Sequence, residues 1–138
     1  MKKLSRQDLE DILHGAAILG TGGGGELTDG LKMIDDALVK GKEFKLVTLD
    51  EAPQDALVCT PYMLGAISAL PADQEQFYAR LPRSGEPSIL TAYRRFEEYL
   101  GRKFYGTIPC ELGGSNTATA FYAAAMSGAY LIDADPAG

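Results

Sequence analysis

FYGTIPCELGGSNTATAFYAAAMSGAYLIDAD, residues 104–135, is the stretch of sequence that decides the fold. It begins with a strand-forming run at 104–110, turns through 111–116, and continues as an almost wholly apolar, small-residue segment at 117–127. A second apolar run, 129–135, ends in two carboxylates. A helix that is apolar all round has to be packed between other elements. Strand–helix–strand order with continuously apolar strands predicts a parallel sheet covered on both faces.

The rest of the chain alternates helical and extended patterns in the same way. Apolar residues at three- and four-residue steps predict a helix over 6–19, with Ser5 and Asp8 forming its capping box. We expect further elements of both kinds: a helix capped by Thr28 or Asp29 and ended near Gly41, strands at 44–49 and 56–64, a short helix at 73–80, and a helix capped by Ser88 and closed by Gly101. The pattern is weakest over residues 65–90.

These elements predict one α/β domain over residues 1–138, with a mostly parallel sheet and helices on both faces. A chain of 138 residues is long enough for one sizeable core and too short for two ordinary domains. The last predicted strand leads into an acidic turn, where an open parallel sheet normally continues into another helix. We therefore expect a truncated domain.

Composition and charge exclude several classes of function. The formal net charge of −6 and the scattered basic residues argue against nucleic acid and anionic membranes as partners. The N-terminus lacks an apolar signal core and no stretch is long enough to span a membrane, so we expect a cytoplasmic protein. Cys59 and Cys110 lie in apolar runs and are expected to be buried, reduced thiols. His14, the only histidine, is expected on the surface near Glu10 or Asp11.

A dense glycine run at 20–25, GTGGGG, follows the first predicted helix. It is not a phosphate-binding loop, because Glu26 stands where that motif needs lysine. It does contain the spacing of a dinucleotide fingerprint, and Asp50 follows the next strand at the position of a ribose-binding acid. That fingerprint has to follow a strand, however, and here it follows a helical pattern. A third interpretation is a loop whose bare amides at Gly22, Gly23, Gly24 and Gly25 line a pocket; a simple helix–helix connection is the alternative.

A second constellation lies at the predicted carboxyl ends of the last two strands. Glu111, Gly113, Gly114 and Asn116 follow one strand, and Asp133 and Asp135 follow the next. Ligands of open α/β sheets bind at this edge. Its carboxylates can act in general acid–base catalysis or bind a divalent metal ion, whose identity the residues leave open. The alternative is purely structural, with Asn116 capping the apolar helix and Asp133 or Asp135 capping whatever follows.

Four blocks of sequence together resemble the N-terminal domain of the S-methyl-thiohydantoin desulfurase-like family, found alongside hydantoinase and oxoprolinase subunits. They are GAAILGTGGGG at 15–25, EEYLGRK at 97–103, ELGGSNT at 111–117 and DADPAG at 133–138. The resemblance implies a hydrolase-like domain acting on hydantoin- or thiohydantoin-type rings, by desulfuration or by hydrolysis of a C–N or C–S bond. It also implies longer relatives, with residues 1–138 as the N-terminal domain of a larger architecture whose second domain is absent. We expect a small cyclic amide or thioamide as ligand, and a homo-oligomer or a partner domain.

The matched blocks carry the residues that we assign to the site. Three carboxylates are candidates for activating water: Glu111, Asp133 and Asp135. The candidates for binding the substrate are the glycines and the amide of those blocks: Gly22, Gly23, Gly24, Gly25, Gly113, Gly114 and Asn116. Two other functions stay open at this point, a nucleotide-binding module that uses 20–25 with Asp50 and a non-catalytic assembly domain that presents its apolar helix to a partner.

Overall fold

The computed structural model describes residues 1–65 and 69–136. Its α-helices are α1 (Arg6–Gly20), α2 (Leu27–Val39), α3 (Ala72–Ala79), α4 (Ser88–Leu100) and α5 (Gly114–Ser127). Its strands are β1 (Lys2–Leu4), β2 (Phe44–Thr48), β3 (Val58–Cys59), β4 (Gly106–Thr107) and β5 (Tyr130–Asp133), and a 3-10 helix spans Leu49–Glu51. The five strands form one sheet in the order β1-β2-β5-β4-β3, in which only the β1–β2 pair is antiparallel. The predicted class, an α/β domain with a mostly parallel sheet, is confirmed.

Local sequence signals place several element ends correctly. Ser5 and Asp8 form both hydrogen bonds of a capping box at the start of α1. Gly41, just after α2, has φ of 69°, and its neighbour Lys42 donates a 2.9 Å hydrogen bond back to the carbonyl of Ala37. Gly101 closes α4 with φ of 64°. These left-handed positions favour glycine because they cost other residues steric strain.

Other boundaries differ from the sequence-based expectation. Glu26, and not Thr28 or Asp29, is the N-cap of α2, because Leu27 is already held against Gly114 of α5. Pro87 and not Ser88 caps α4, and its carbonyl accepts the first helical hydrogen bond, from Leu90. Strand β3 covers two residues of the predicted 56–64, since the segment stops pairing before Pro61. Strand β1 was not predicted at all.

The core lies between α5 and the sheet. Helix α5 is buried along nearly its whole length, and it contacts β2, β4 and β5 as well as α1, α2 and α4. Leu131 of β5 belongs to this cluster, together with Leu9 and Leu13 of α1 and Ile34 of α2. Ile132 alternates to the opposite face, where it lines a cavity with the connection that follows β2, including the 3-10 helix. The parallel strands therefore bury both of their faces.

Helices α2 and α5 approach each other through two glycines. A Cβ atom built on Gly30 would lie 2.0 Å from the carbonyl oxygen of Gly114, and one built on Gly114 would lie 2.4 Å from the Cα of Leu27. No side chain fits between the two backbones here, so the helix crossing requires glycine at both positions.

We predict that Gly30→Ala destabilises the protein by about 2 kcal/mol or more, because the added methyl group would have to push two backbones apart. Gly15→Ala is the matched control, since Gly15 also lies inside a helix but has nothing within 4 Å of its hypothetical Cβ. It should stabilise by about 0.5–1 kcal/mol, the ordinary gain of alanine over glycine in a helix. Urea unfolding measures both. A neutral or stabilising Gly30→Ala would contradict the close crossing.

Candidate functional site

The glycine run forms the connection between α1 and α2. Thr21 is the C-cap of α1 with φ of 48°, and Gly22, Gly24 and Gly25 follow with φ of 95°, 70° and 78°. Gly23 donates a 2.7 Å hydrogen bond to the carbonyl of Gly20, which closes a tight turn. Three glycines of the run are therefore explained by left-handed backbone conformation.

The glycine run packs directly against the second glycine-containing segment. A Cβ atom on Gly24 would lie 2.4 Å from the carbonyl oxygen of Leu112, and one on Gly113 would lie 2.4 Å from the Cα of Gly24. The carbonyl of Gly24 accepts hydrogen bonds from the backbone N–H groups of Ser115 (3.2 Å) and Asn116 (2.9 Å). We call this set of contacts between residues 20–25 and 112–116 the glycine interlock.

The glycine interlock caps α5 from outside the helix. Gly113 is the N-cap and provides no side chain, so the first-turn amides of α5 need acceptors from elsewhere. The carbonyl of Gly24 supplies one for two of them. The backbone N–H of Asn116 is thus already paired within the protein. Binding of a substrate by Gly22–Gly25, Gly113 and Gly114 stays a prediction.

The structural interpretation of Asn116 predicted that it caps α5, but Gly113 is the N-cap. Asn116 lies in the first turn of α5, 8% exposed, and its Oδ1 accepts a 3.0 Å hydrogen bond from the backbone N–H of Met63. Its own N–H is bound to Gly24. Asn116 therefore connects the glycine interlock to the segment that follows β3.

Glu111 is exposed and lies immediately before this segment with φ of 53°, in the left-handed region. A bulky residue rarely adopts this conformation, which stores backbone strain and often marks a functional position. Such a conformation persists only where the surrounding structure holds the backbone in place.

A cavity of about 270 Å³ opens beside the glycine interlock at the carboxyl end of β5. Leu19 at the end of α1, Leu112 of the interlock, and Asp133 at the end of β5 line it. Its other walls are mostly apolar: Ile12, Gly15, Ala16, Leu46, Pro109, Thr117, Phe121, Ile132 and Ala134. Asp133 is the only carboxylate among these described lining residues, and it is exposed. Glu111 and Asp135 each neighbour a lining residue in sequence.

Thr117 and Phe121 are functional candidates that the sequence analysis missed. Thr117 is buried, lines the cavity, and accepts a hydrogen bond of 3.4 Å from the backbone N–H of Gly113 through its hydroxyl oxygen. Phe121 lies one helical turn further along and forms part of the same wall. Their four-residue spacing was visible in the sequence, but the uniformly apolar helix gave no signal for the face that borders a cavity.

Four further expectations can be compared with the structure. Within residues 1–65 and 69–136, no group of three or more His, Cys, Asp or Glu side chains is placed to hold a metal ion. Cys59 and Cys110 are free and half-buried. His14 is exposed, and its Nδ1 lies 2.8 Å from the backbone carbonyl oxygen of Glu10, as the surface interpretation predicted. In the part of the chain that the structure describes, no helix has the length and apolar character needed to cross a membrane.

Neither alternative function gains support from these positions. The glycine run is preceded by α1 and not by the strand that a dinucleotide fingerprint requires, and Asp50 lies in the 3-10 helix after β2. The assembly interpretation relied on an apolar helix presented to a partner. Helix α5 is instead buried inside the domain from Asn116 to Ala125, so this part of the interpretation was wrong.

The protein is an α/β domain with a small, largely apolar cavity at the carboxyl edge of a parallel sheet. Residues 7–138 match the S-Me-THD-like N-terminal domain, and the chain belongs to this family. No curated protein matches the chain. A crystal structure of a protein from Chromobacterium violaceum is similar, with 27% identity and a TM-score of 0.60. That similarity covers 98% of this chain but 35% of the other, so the chain spans about a third of the length of that protein.

We predict that Asn116→Ala releases the segment after β3, because it removes the acceptor of the Met63 N–H. The expected cost is about 1 kcal/mol of stability, with faster hydrogen exchange at the Met63 amide. Asn116→Asp is the matched control, since it keeps an oxygen acceptor at the N-terminal end of a helix, where negative charge is favourable. Unchanged protection of Met63 in Asn116→Ala would rule out this role.

Proposed function

We propose that the chain is the N-terminal domain of a hydrolase-like enzyme that acts on hydantoin- or thiohydantoin-type rings. We further propose that the ring binds in the cavity lined by Leu19, Leu112 and Asp133, which we call the Asp133 cavity. The observation that carries this proposal is the position of the cavity. It lies between the glycine interlock and the end of β5, with one carboxylate on its wall and two more adjoining it in sequence. Membership of the S-Me-THD-like family supports the substrate class.

The size and lining of the cavity suit a small planar ring. Drug-sized ligands occupy pockets of roughly 300–1,000 Å³, and this cavity, at about 270 Å³, is slightly smaller. Leu19, Leu112 and Phe121 would contact the faces and apolar substituents of the ring. The Thr117 hydroxyl, which accepts from Gly113, has a proton that it can donate to a ring carbonyl or thiocarbonyl.

The reaction that this arrangement suits is attack of water on the ring carbon that carries sulfur. Asp133 takes a proton from the water as the C–O bond forms. The electron pair of the C=N bond moves to the ring nitrogen, which takes up this proton. The C–S bond then breaks with its electron pair on sulfur, the new hydroxyl group passes its proton by way of Asp133 to the departing thiolate, and a ring carbonyl remains. For an S-methyl-thiohydantoin the products are a hydantoin and methanethiol. Glu111 and Asp135 are the further candidates for proton transfer. The backbone N–H groups of Gly22, Gly24 and Gly25 are candidate donors to the developing negative charge, whereas the N–H of Gly23 is already bound to the carbonyl of Gly20.

We also propose that a second domain or a second copy of the chain completes the site. Ile18 and Leu19, at the end of α1 beside the cavity, are 76% and 70% exposed. Neighbouring exposed apolar side chains of this kind favour an interaction surface. Closing the cavity from this side would exclude bulk water from the cavity and strengthen every electrostatic interaction within it.

The proposal predicts that the protein releases methanethiol from an S-methyl-thiohydantoin and that Asp133→Asn slows release by about 10²–10⁴-fold, the usual contribution of a general base. A thiol-reactive dye follows the product. Asp29→Asn is the control, because Asp29 is an exposed carboxylate of α2, paired with Lys32, that lies outside the cavity lining. Glu111→Gln and Asp135→Asn, measured in parallel, decide which carboxylates participate.

Binding is measured separately from turnover, by following backbone amide resonances as the ring compound is added. We expect shifts at Leu112, Asp133 and Ala134 in the wild-type chain and in Asp133→Asn. Full activity of Asp133→Asn would refute its role as the base. Absence of both turnover and these shifts would refute the proposed site.

A further inference from the structure

A second cavity, of about 390 Å³, lies between β3 and α4, apart from the Asp133 cavity. The end of β3 and the residues after it form one wall, and α4 with Phe104 forms the other. Its lining side chains are Val58, Cys59, Thr60, Pro61, Tyr62, Ile89, Ala92, Tyr93, Phe96 and Phe104. The cavity therefore lies at the carboxyl end of a parallel strand, where ligands of such sheets bind, and its volume is in the range of small-molecule sites.

Tyr93 gives this cavity an unsatisfied polar group. The Tyr93 side chain is 5% exposed, and in the part of the chain that the structure describes, its hydroxyl is the buried side-chain group without a hydrogen-bond partner. Its ring packs edge-on against Phe104, with centroids 5.0 Å apart. A buried hydroxyl that lacks a partner costs about 1–3 kcal/mol. A ligand that accepts a hydrogen bond from the hydroxyl recovers this cost.

The surroundings of the cavity favour a neutral ligand. None of the described lining side chains carries a charge. Burial, with the negative charge of Glu97 nearby, raises the pKa of the Cys59 thiol to about 12, so the thiol is neutral at pH 7. Burial also raises the pKa of Tyr93, so its hydroxyl keeps its proton and can donate it. Glu97 itself is buried and paired with Lys103 and with the backbone N–H of Phe104.

The shape of the lining favours a planar ligand. Three aromatic rings, those of Tyr62, Phe96 and Phe104, provide flat apolar surfaces on which a ring can stack. The ring centroids of Phe96 and Phe104 are 5.4 Å apart. Phe96 is 49% exposed, the highest exposure among these three aromatic side chains, so it has the most freedom to turn. Because the Tyr93 hydroxyl is closed off in the free protein, a ligand reaches it by displacing such a side chain.

We infer that the cavity between β3 and α4 is a binding site for a neutral, planar small molecule that accepts a hydrogen bond from the Tyr93 hydroxyl. This site is independent of the Asp133 cavity and of the reaction proposed there. It assigns to Tyr93 a binding role, and to the aromatic walls the selection of a flat, uncharged ring.

Acetophenone is a suitable probe, because it is a flat neutral ring with one carbonyl acceptor. We expect it to shift the backbone amide resonances of residues 58–62 and 89–96. Its dissociation constant should rise about 3- to 10-fold in Tyr93→Phe, the loss of one neutral hydrogen bond. α-Methylstyrene, which has the same shape with a CH₂ group in place of the oxygen, should bind the wild type and Tyr93→Phe equally. Benzoate, the charged analogue, should cause no shifts at these residues.

Two controls keep the test specific. Tyr99→Phe removes a hydroxyl from a tyrosine on the same helix that is 85% exposed, and it should leave the affinity for acetophenone unchanged. Asp133→Asn should also leave it unchanged, so failure of this inference is distinct from failure of the proposed reaction. Tyr93→Phe should unfold at the same or a higher temperature than the wild type, since it removes an unpaired buried group. Absence of shifts at 58–62, or equal affinity of wild type and Tyr93→Phe for acetophenone, would overturn the inference.

Discussion

The structure depends on one backbone contact, the hydrogen bonds from the first turn of α5 to the carbonyl of Gly24. Helix α5 contributes more of the buried apolar residues than any other described element, and its N-cap, Gly113, has no side chain to pair with the first-turn amides. The acceptor therefore comes from a loop about ninety positions earlier in the chain, at Gly24. These hydrogen bonds require the two backbones to meet without side chains between them. This requirement explains the glycines at positions 24 and 113 better than ligand binding alone does.

The sequence predicts the fold best where a signal is local. The capping box of α1, the left-handed glycines after α2 and α4, and the strand–helix–strand order of the last third are all decided by neighbouring residues. Local signals do not predict strand β1, because its sequence KKL has no strand pattern of its own. The pairing of β1 with residues 44–46 is determined by tertiary structure. The start of α2 escapes it too, since contact with Gly114 overrides the preferred caps.

The candidate site shows the same division. The rule that ligands bind at the carboxyl ends of parallel strands correctly directs attention to Asp133, which does line a cavity. The rule cannot identify Thr117, Leu19 or Phe121, because a helix that is apolar all round does not reveal which face borders empty space. It also cannot reveal the unpaired hydroxyl of Tyr93. In the helical pattern of the sequence, Tyr93 is simply another aromatic residue on the apolar face. Such features arise from packing and become visible only in three dimensions.

One residue, Asn116, joins the segments that border the two cavities, although the chemistry of the cavities differs. The backbone N–H of Asn116 is held by Gly24, and its side chain holds the N–H of Met63. The segment before Met63, Thr60–Tyr62, is a wall of the neutral cavity, and the residues around Gly24 adjoin the Asp133 cavity through Leu19 and Leu112. Asn116 is nearly buried and bonded at both ends, so it positions the wall of one cavity relative to the wall of the other, while the two cavities share no described lining residue.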